Sequence, residues 1–407
     1  MKTHRRPILA LLLLALFVPA LAHAQAPVPG PALPGVKFTR DLAYVDGGVA
    51  AQKLDLYLPE MEGGPWPLII WIHGGGWRAG DKAGCPARRM TAQGYAVASI
   101  NYRLSDEARF PAQIEDCKAA IRWLRSQASI YHLDPAHFGV WGSSAGGHLV
   151  ALLGTSGAVK DFDKGAHLDV SSRVQAVCDF YGPTDLLQMD AHALANAQLK
   201  HDLPNSPEAV FIGGPIQENK EKAARANPIA YVAADDPPFF IVHGDQDPVV
   251  PHHQSELLFE ALKKAGVSVH FHTMIGAGHG IGIGGAELDR MVDEFFRHYL
   301  KNGAASDGKA VVTQGSASIP PGLGGGPTGG TPPPGAANPA GRPRITWERV
   351  SRDDANGDGK VTREEFKGPP KLFDILDRNH DGVLTKENFA EPAATPPGGA
   401  TPAPAKP

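Results

Sequence analysis

The amino-acid sequence predicts an α/β fold in which a mostly parallel sheet carries helices on both faces. Short apolar runs recur along the 407-residue chain, and segments with the periodicity of amphipathic helices lie between them. Runs that are apolar at successive positions suit strands covered on both faces, and their alternation with helices is typical of parallel sheets. Ligand sites of such sheets lie at the carboxyl ends of the strands, so the chemistry of this chain should follow its apolar runs.

The first two strands differ from the others because apolar and polar residues alternate in them. Residues 38–44 and 52–58 have this pattern, which predicts an antiparallel opening hairpin. Continuous apolar runs predict further strands at 68–72, 96–100, 138–141, 174–180, 239–242 and 269–274. Helical periodicity predicts helices at 111–127, 144–153, 253–265 and 287–300. Residues 184–232 interrupt the alternation, which leaves two interpretations: a cap over the site, or an insertion without a catalytic role.

The N-terminus has the three parts of a secretory signal peptide. A basic start at residues 2–6 precedes a short apolar stretch at 8–21, and residues 22–24 suit signal peptidase. The apolar stretch is shorter than the roughly 20 residues that span a bilayer. We therefore expect removal of residues 1–24, a secreted or periplasmic protein, and no membrane span.

The net charge limits the classes of partner, and the cysteine spacing limits the metal sites and disulfides that the chain could form. The formal net charge of −4 becomes −7 when the three basic residues of the signal are removed, and this acidity argues against nucleic acid as a partner. Cys85, Cys117 and Cys178 lack metal-ligand spacing. Because Cys117 lies in a helical pattern and Cys178 in an apolar run, buried free thiols are favoured over a disulfide.

The motif that organises the chain is Gly142-Ser143-Ser144-Ala145-Gly146, which lies between an apolar run and a helical pattern. A strand that enters a Gly-x-Ser-x-Gly turn and continues as a helix forms a nucleophile elbow, because glycines beside the serine avoid clashes in the tight turn. Ser144 is therefore the candidate nucleophile.

A second glycine-rich segment, His73-Gly74-Gly75-Gly76-Trp77, directly follows the apolar run at 68–72. Successive glycines leave backbone N–H groups unshielded, so they can point at an oxyanion from the side opposite the amide that follows the nucleophile. The sequence thus predicts an oxyanion hole made by Gly75, Gly76 and Ala145.

A serine nucleophile also needs a base and a carboxylate that orients the base. Asp245 and Asp247 both follow the apolar run at 239–242. We favour Asp247 as the acid because it lies deeper in the turn and precedes Pro248, which leaves Asp245 as the alternative or as a brace of the loop. His279 is the expected base, since glycines frame its turn after the last predicted strand.

The chain order of Ser144, Asp247 and His279 is that of the alpha/beta-hydrolase fold. The predicted catalytic domain, residues 36–302, resembles the secreted serine esterases of this superfamily, near the hormone-sensitive-lipase-like and the bacterial acetyl and feruloyl esterases. The resemblance rests on residues 73–82, 101–104, 142–146 and 181–186, and on the segments that contain Asp247 and His279. It implies a serine carboxylesterase without a catalytic cofactor, whose ester substrate is small or linked to a polysaccharide, with acetyl or feruloyl groups as examples.

Two other functions stay open at this stage. A serine peptidase of the same fold would use the same residues, although such enzymes usually carry another large domain ahead of the catalytic one. A non-catalytic protein that binds its partner in a calcium-dependent way would use the C-terminal part instead. The intact set of nucleophile, acid, base and oxyanion segment argues against the second alternative.

The C-terminal part begins where periodicity ends. Residues 303–344 are dominated by Gly, Pro, Ala, Ser and Thr, which predicts a flexible linker. Beyond it, residues 345–391 contain a repeat, because the pattern at 354–365 recurs 23 residues later. Residues 392–407 are again rich in Pro, Ala and Gly and are expected to be a disordered tail.

Both copies of the repeat have oxygen side chains at positions 1, 3 and 5 and glycine at position 6, as a twelve-residue calcium loop requires. They resemble a pair of EF-hands, which predicts a small all-α module that binds Ca²⁺ and could dock to a protein or a surface. The expected ligands of the first loop are Asp354, Asn356, Asp358, Lys360 and Glu365, and those of the second are Asp377, Asn379, Asp381 and Val383. Asn388 stands where a bidentate glutamate is expected, so the second loop should bind more weakly.

Overall fold

In a computed structural model, residues 34–317 are described continuously, together with parts of the C-terminal repeat at 350–351, 354, 356, 358–366 and 382–386. The chain divides into two units, one up to residue 325 and one from residue 326. The predicted signal peptide at 1–24, the tail at 392–407 and the later part of the predicted linker lie outside the described residues. No helix within the described ranges is both long and apolar enough to cross a bilayer.

The first unit is built on one nine-stranded sheet. Its strands are β1 (Val36–Ala43), β2 (Lys53–Pro59), β3 (Trp66–Ile72), β4 (Ala96–Ile100), β5 (Leu133–Ser143), β6 (Ala176–Phe180), β7 (Phe239–Gly244), β8 (Val269–Ile275) and β9 (Ala310–Ser316). The spatial order is β1-β2-β4-β3-β5-β6-β7-β8-β9. Strand β2 pairs antiparallel with β1 and β4, and the remaining pairs are parallel. The predicted opening hairpin and the mostly parallel sheet are confirmed.

Helices cover both faces of this sheet. They are α1 (Ala112–Ser126), α2 (Ala128–Tyr131), α3 (Ala145–Thr155), α4 (Pro207–Ile212), α5 (Lys220–Ala226), α6 (His253–Ala265) and α7 (Ala286–Phe296), which continues as a π-helical turn at Arg297–Lys301. Short 3₁₀ segments lie at Pro86–Gln93, Lys160–Phe162, Leu186–Gln188, Asp190–His192, Ile216–Glu218 and Pro228–Tyr231.

Strand β3 shows how the sheet separates two hydrophobic cores. Leu68, Ile70 and Ile72 pack with α1, α3 and α6 on one face, whereas Ile69 and Trp71 pack with α7 on the other. Successive side chains of a strand point to opposite faces, so a strand buried on both sides must be apolar throughout. This is why the continuous apolar runs identified the inner strands.

The predicted linker boundary is wrong at its N-terminal side. Residues 310–316 lie within the predicted linker at 303–344, yet they form β9, which pairs in parallel with β8 over its whole length. Val311 and Val312 remain 43% and 56% exposed. A strand at the edge of the sheet buries little apolar surface, so it needs no clear apolar pattern, and the sequence shows none. The sheet therefore extends past the predicted domain boundary at 302.

All three cysteines belong to the first unit. Cys85, Cys117 and Cys178 are buried, and no disulfide joins them. Burial raises the pKa of each thiol, to about 12 for Cys85. At neutral pH these thiols are therefore uncharged and pack as small apolar groups.

The second unit is described at the two repeats. Strand β10 (Val361–Thr362) pairs antiparallel with β11 (Val383–Leu384). Val350 packs with one residue of each strand in a small buried cluster. The pairing holds the two predicted calcium loops side by side, and it adds a short sheet to a module that the sequence predicted to be all-α.

Candidate active site

Strand β5 carries Ser144 to the carboxyl edge of the sheet, and α3 begins at the next residue. Ser144 has φ 55° and ψ −122°, a backbone conformation that residues other than glycine rarely adopt. Its N–H donates to the carbonyl of Phe180 on the neighbouring strand (2.8 Å). Glycine is required on either side, because a Cβ on Gly142 would clash with the carbonyl of Gly146, and one on Gly146 with the carbonyl of Ile72. The geometry is that of a nucleophile elbow.

Three side chains from different strand ends form one hydrogen-bonded chain. His279 lies in the turn after β8 and Asp247 in the turn after β7. Nε2 of His279 is 2.9 Å from Oγ of Ser144, and Nδ1 is 2.8 Å from Oδ2 of Asp247. With the proton on Nδ1, His279 donates to Asp247 and leaves Nε2 free to accept the serine proton. This order of contacts is what general-base activation of a serine requires.

The carboxylate of Asp247 is buried and held on both sides. Oδ1 accepts the N–H groups of Val249 (2.8 Å) and Val250 (2.9 Å), while Oδ2 also lies 3.3 Å from Nε2 of His243. Burial alone would raise the pKa of Asp247, but hydrogen bonds from His243 and His279 outweigh it and hold the pKa well below its usual range. Asp247 therefore stays ionised beside His279.

His243 is a member of the site to which sequence reasoning gave no role. It is fully buried at the end of β7, and its Nδ1 lies 2.7 Å from Oγ of Ser255. Its Nε2 lies 3.0 Å from the carbonyl of Val250, in the loop of the triad acid. The available signal was a histidine in a strand that is otherwise apolar, because a buried polar side chain requires partners.

The second aspartate of this loop has a different contact. Oδ1 of Asp245 accepts the N–H of Gly276 at 2.6 Å, at the start of the turn that carries His279. The structure thus brings Asp247, and not Asp245, to the imidazole. Asp245 links the two loops, which is the bracing role considered for it.

The predicted oxyanion segment lies beside the nucleophile. A Cβ on Gly74 would fall 3.2 Å from Cβ of Ser144, which places this loop against the elbow. The N–H groups of Gly75, Gly76 and Ala145 donate to no acceptor among the described residues. Free N–H groups from a glycine loop and from a helix N-terminus, on either side of a serine, can together stabilise an oxyanion.

The cap segment, residues 184–232, packs against the segments that carry these residues. Phe211 of α4 stacks on Trp77 after the oxyanion glycines, with ring centroids 4.3 Å apart. Gln198 donates its N–H to the carbonyl of Pro248 in the acid loop (2.7 Å). His148 of α3 donates through Nε2 to the carbonyl of Ala226 (2.7 Å). These contacts favour the cap interpretation of the segment.

Aromatic and histidine side chains near the site have separate roles. Trp77 is 1% exposed, so it packs in the core and does not line an open pocket. Burial lowers the pKa of His148 to about 4, which makes it a neutral buried histidine. The rings of Tyr181 and His279 form an edge-to-face contact, with centroids 4.8 Å apart. Of Trp77 and Tyr181, Tyr181 is thus the aromatic residue that contacts a triad residue.

The first calcium loop is described in part. Oδ2 of Asp354 accepts the N–H of Gly359 (2.9 Å), and the side chains of Asn356 and Asp358 each accept an N–H two residues ahead. Oε2 of Glu365 accepts both the N–H and the hydroxyl of Thr362 at 3.0 Å. No cluster of three or more His, Cys, Asp or Glu that could hold a metal occurs in the described part of the chain.

The donors of this loop fit a hard cation. Carboxylate and amide oxygens suit Ca²⁺, and Lys360 and Val383 stand at the loop position that supplies a backbone carbonyl. In the second loop Asp377, Asn379 and Asp381 lie outside the described residues, and Val383 lies in β11.

The mostly parallel sheet, the nucleophile elbow and the bonded Ser-His-Asp chain place this protein among the alpha/beta-hydrolases. The family model described as BD-FAE matches residues 54–262, just over half of the chain. The chain belongs to this family. An EF-hand model matches residues 354–368 and 371–390.

Relatives of known class agree with this assignment. The chain is 32% identical over 280 residues to esterase LipQ of Mycobacterium tuberculosis, a match that covers 67% of this chain and 64% of LipQ. It is 32% identical over 250 residues to the probable carboxylic ester hydrolase LipM of the same organism, covering 59% and 56% of the two proteins. The chain thus spans less than two thirds of the length of these curated relatives.

A solved structure is covered almost completely. A truncated carbohydrate esterase from gut microbiota is 36% identical, with a TM-score of 0.62 over 67% of this chain and 99% of that chain. The bifunctional GH43-CE protein of Bacteroides eggerthii is also 36% identical, with a TM-score of 0.59 over 64% and 38% of the two chains. The similarities identify the first unit as a carboxylic ester hydrolase domain.

Proposed function

We propose that this protein is a serine carboxylesterase that hydrolyses short-chain acyl esters, with acetyl or feruloyl groups on polysaccharides as its substrate class. The observation that carries the proposal is the hydrogen-bonded chain from Ser144 through His279 to Asp247, beside the free N–H groups of the oxyanion segment. The carbohydrate esterase among its structural relatives supports the polysaccharide as the alcohol part of the ester. The predicted signal at 1–24 supports a secreted or periplasmic protein, where such polymers are met.

The geometry performs the reaction in two halves. Oγ of Ser144 attacks the ester carbonyl carbon while Nε2 of His279 takes the hydroxyl proton. The N–H groups of Gly75, Gly76 and Ala145 stabilise the negative charge on the carbonyl oxygen. The imidazolium, stabilised by Asp247, then protonates the leaving alcohol, which leaves the acyl group on the serine. Water, deprotonated by the same imidazole, releases the acid and restores Ser144.

We expect a preference for short acyl groups. Pro207 of α4 packs directly on the oxyanion segment, since a Cβ on Gly76 would fall 3.2 Å from its Cβ. Because this contact places the cap against the oxyanion segment, we expect the cap to hinder a long acyl chain. Nitrophenyl acetate should therefore be hydrolysed about ten-fold or more faster, in kcat/KM, than nitrophenyl laurate.

The same screen tests the substrate class. Acetylated xylan and methyl ferulate are assayed beside the nitrophenyl series and a peptide anilide. Release of acetate or ferulate supports the proposal. A faster rate with laurate than with acetate would contradict the acyl preference, and cleavage of the anilide with no ester turnover would favour the peptidase alternative.

We also propose that the C-terminal repeats bind Ca²⁺, with Asp354, Asn356, Asp358, the carbonyl of Lys360 and Glu365 as the ligands of the first loop. The match to an EF-hand model and the pairing of the two loops through β10 and β11 support this assignment. A bound ion would draw these oxygens together, and Glu365 would leave Thr362 to supply its carboxylate. The role of the module is then to present a calcium-ordered surface to a protein or polymer.

Calcium should order the repeats while leaving esterase turnover unchanged. Binding to the folded loops stabilises them by linkage, so residues 345–391 should gain resistance to protease. The first loop should bind more tightly than the second, because Asn388 offers one neutral oxygen where Glu365 offers a bidentate carboxylate. Calorimetric titration of the full-length protein measures the two affinities, and Glu365→Gln should weaken the tighter site.

Two results would contradict this prediction. Equal affinities at the two loops would contradict the role given to the twelfth position. A several-fold loss of nitrophenyl acetate turnover in chelator would contradict the independence of the two units, and magnesium in place of calcium serves as the control for charge alone.

A further inference from the structure

A buried ion pair lies inside the cap segment. Nδ1 of His201 is 3.0 Å from Oε1 of Glu208, and the two side chains are 1% and 5% exposed. Neither residue belongs to the triad or to the oxyanion segment. Burying opposite charges costs about as much in lost hydration as their attraction returns, so such a pair is weak evidence for stability alone.

On one side, the pair reaches the loop of the triad acid. Nε2 of His201 is 3.0 Å from the carbonyl of Val249 and must donate to it, because a carbonyl only accepts. The N–H of Val249 in turn donates to Oδ1 of Asp247. His201 is therefore one residue removed from the carboxylate that orients His279.

On the other side, the pair reaches the oxyanion segment. Glu208 lies in α4, next to Pro207, which packs on Gly76. Phe211 of the same short helix stacks on Trp77, with the two ring planes 12° apart. Helix α4 therefore packs against the oxyanion segment, and Glu208 connects this helix to His201.

We propose that His201 and Glu208 are positioning residues. Together they form a clasp that fixes the distance between the loop of Asp247 and the oxyanion segment during acyl transfer. The inference rests on the esterase function proposed above, because the geometry it protects is that of the triad and the oxyanion hole. Displacements of about 1 Å at such groups can cost up to 100-fold in rate, so a clasp remote from the substrate can act on kcat.

The charge of the clasp makes it sensitive to pH. Both ring nitrogens of His201 lie 3.0 Å from an oxygen atom, Nδ1 from Oε1 of Glu208 and Nε2 from the carbonyl of Val249, and this arrangement favours the protonated ring. Burial lowers the pKa of His201, but the hydrogen bond and charge of Glu208, with the charge of Asp190, outweigh burial and raise it. A raised pKa means that the clasp is complete below the ordinary histidine pKa and is lost as pH rises through the raised value.

Two substitutions at one position separate charge from shape. Glu208→Ala removes the acceptor and should lower kcat for nitrophenyl acetate about ten-fold with little change in KM. In Glu208→Gln, the new amide N–H can donate to Nδ1 of a neutral His201. The Nε2–H of that histidine can still donate to the carbonyl of Val249. This variant should keep a kcat close to that of the wild type, and it should lack the fall in kcat at alkaline pH that we expect of the wild type.

A buried pair away from the site provides the matched control. Asp163 accepts from Arg122 of α1 at 3.0 Å, and the two side chains are 11% and 1% exposed. Asp163→Asn should lower Tm while leaving kcat unchanged. A wild-type kcat in folded Glu208→Ala would overturn the proposal. If that variant does not fold, the proposal is overturned instead by a Glu208→Gln variant whose kcat falls at alkaline pH as in the wild type.

Labelling of Ser144 by a fluorophosphonate gives a readout that needs no ester substrate, because the reaction uses the same base and oxyanion donors. Slower labelling of Glu208→Ala than of the wild type supports the clasp, and equal rates contradict it. A wild type that neither turns over esters nor labels would refute the proposed function itself, and the clasp with it.

Discussion

Replacing Ser144 by alanine should remove essentially all turnover of nitrophenyl acetate, a fall in kcat of about 10⁵- to 10⁶-fold. Without Oγ there is no atom at the position that Nε2 of His279 faces at 2.9 Å. The oxyanion donors and the fold remain, so a small residual rate from carbonyl polarisation is expected. The measurement is kcat with the variant at high enzyme concentration, corrected for spontaneous hydrolysis.

The neighbouring serine provides the control. Ser143 ends β5, and its side chain lies beside Tyr181, whereas the hydrogen-bond partners of His279 are Ser144 and Asp247. Ser143→Ala should therefore retain turnover within about ten-fold of the wild type, because at most one hydrogen bond outside the triad is lost. Both variants should keep a Tm near that of the wild type. Retained turnover in Ser144→Ala would show that another group is the nucleophile.

Local sequence signals predicted the parts of the fold that depend on local burial. The bounds predicted for β4 and α6 match the structure. The apolar run of β4 and the amphipathic periodicity of α6 are both visible in the sequence itself. The elbow was equally readable, since its glycines and serine form one contiguous motif and Gly142 is required by a clash with Gly146 inside it.

Features that depend on distant packing were not predictable. Strand β9 is held by backbone pairing with β8 and leaves Val311 and Val312 exposed, so its residues carry no apolar signal. His201 and Val249 are 48 residues apart, and no periodicity links a histidine to the carbonyl that it will meet. Charged residues in an irregular segment are usually exposed, and only the assembled cap shows that this histidine is buried.

The second large effect is expected at Asp247, the acid of the triad. Asp247→Asn should lower kcat about 10⁴-fold. The reason lies in the loop, because Oδ1 already accepts the N–H groups of Val249 and Val250. Asparagine keeps these two bonds only by placing its carbonyl oxygen there, which turns its NH₂ group toward His279. The imidazole must then accept at Nδ1 and carry its proton on Nε2, so it cannot take the proton of Ser144.

Asp245→Asn is the matched control, because the two aspartates share one loop. The contact of Asp245 is a single N–H from Gly276, which an amide oxygen can still accept. Its kcat should therefore fall by no more than about ten-fold. The ratio of the two losses is the decisive quantity, since both variants change the loop charge by the same amount. A larger loss in Asp245→Asn than in Asp247→Asn would reverse the assignment, and it would mean that the loop rearranges when substrate binds.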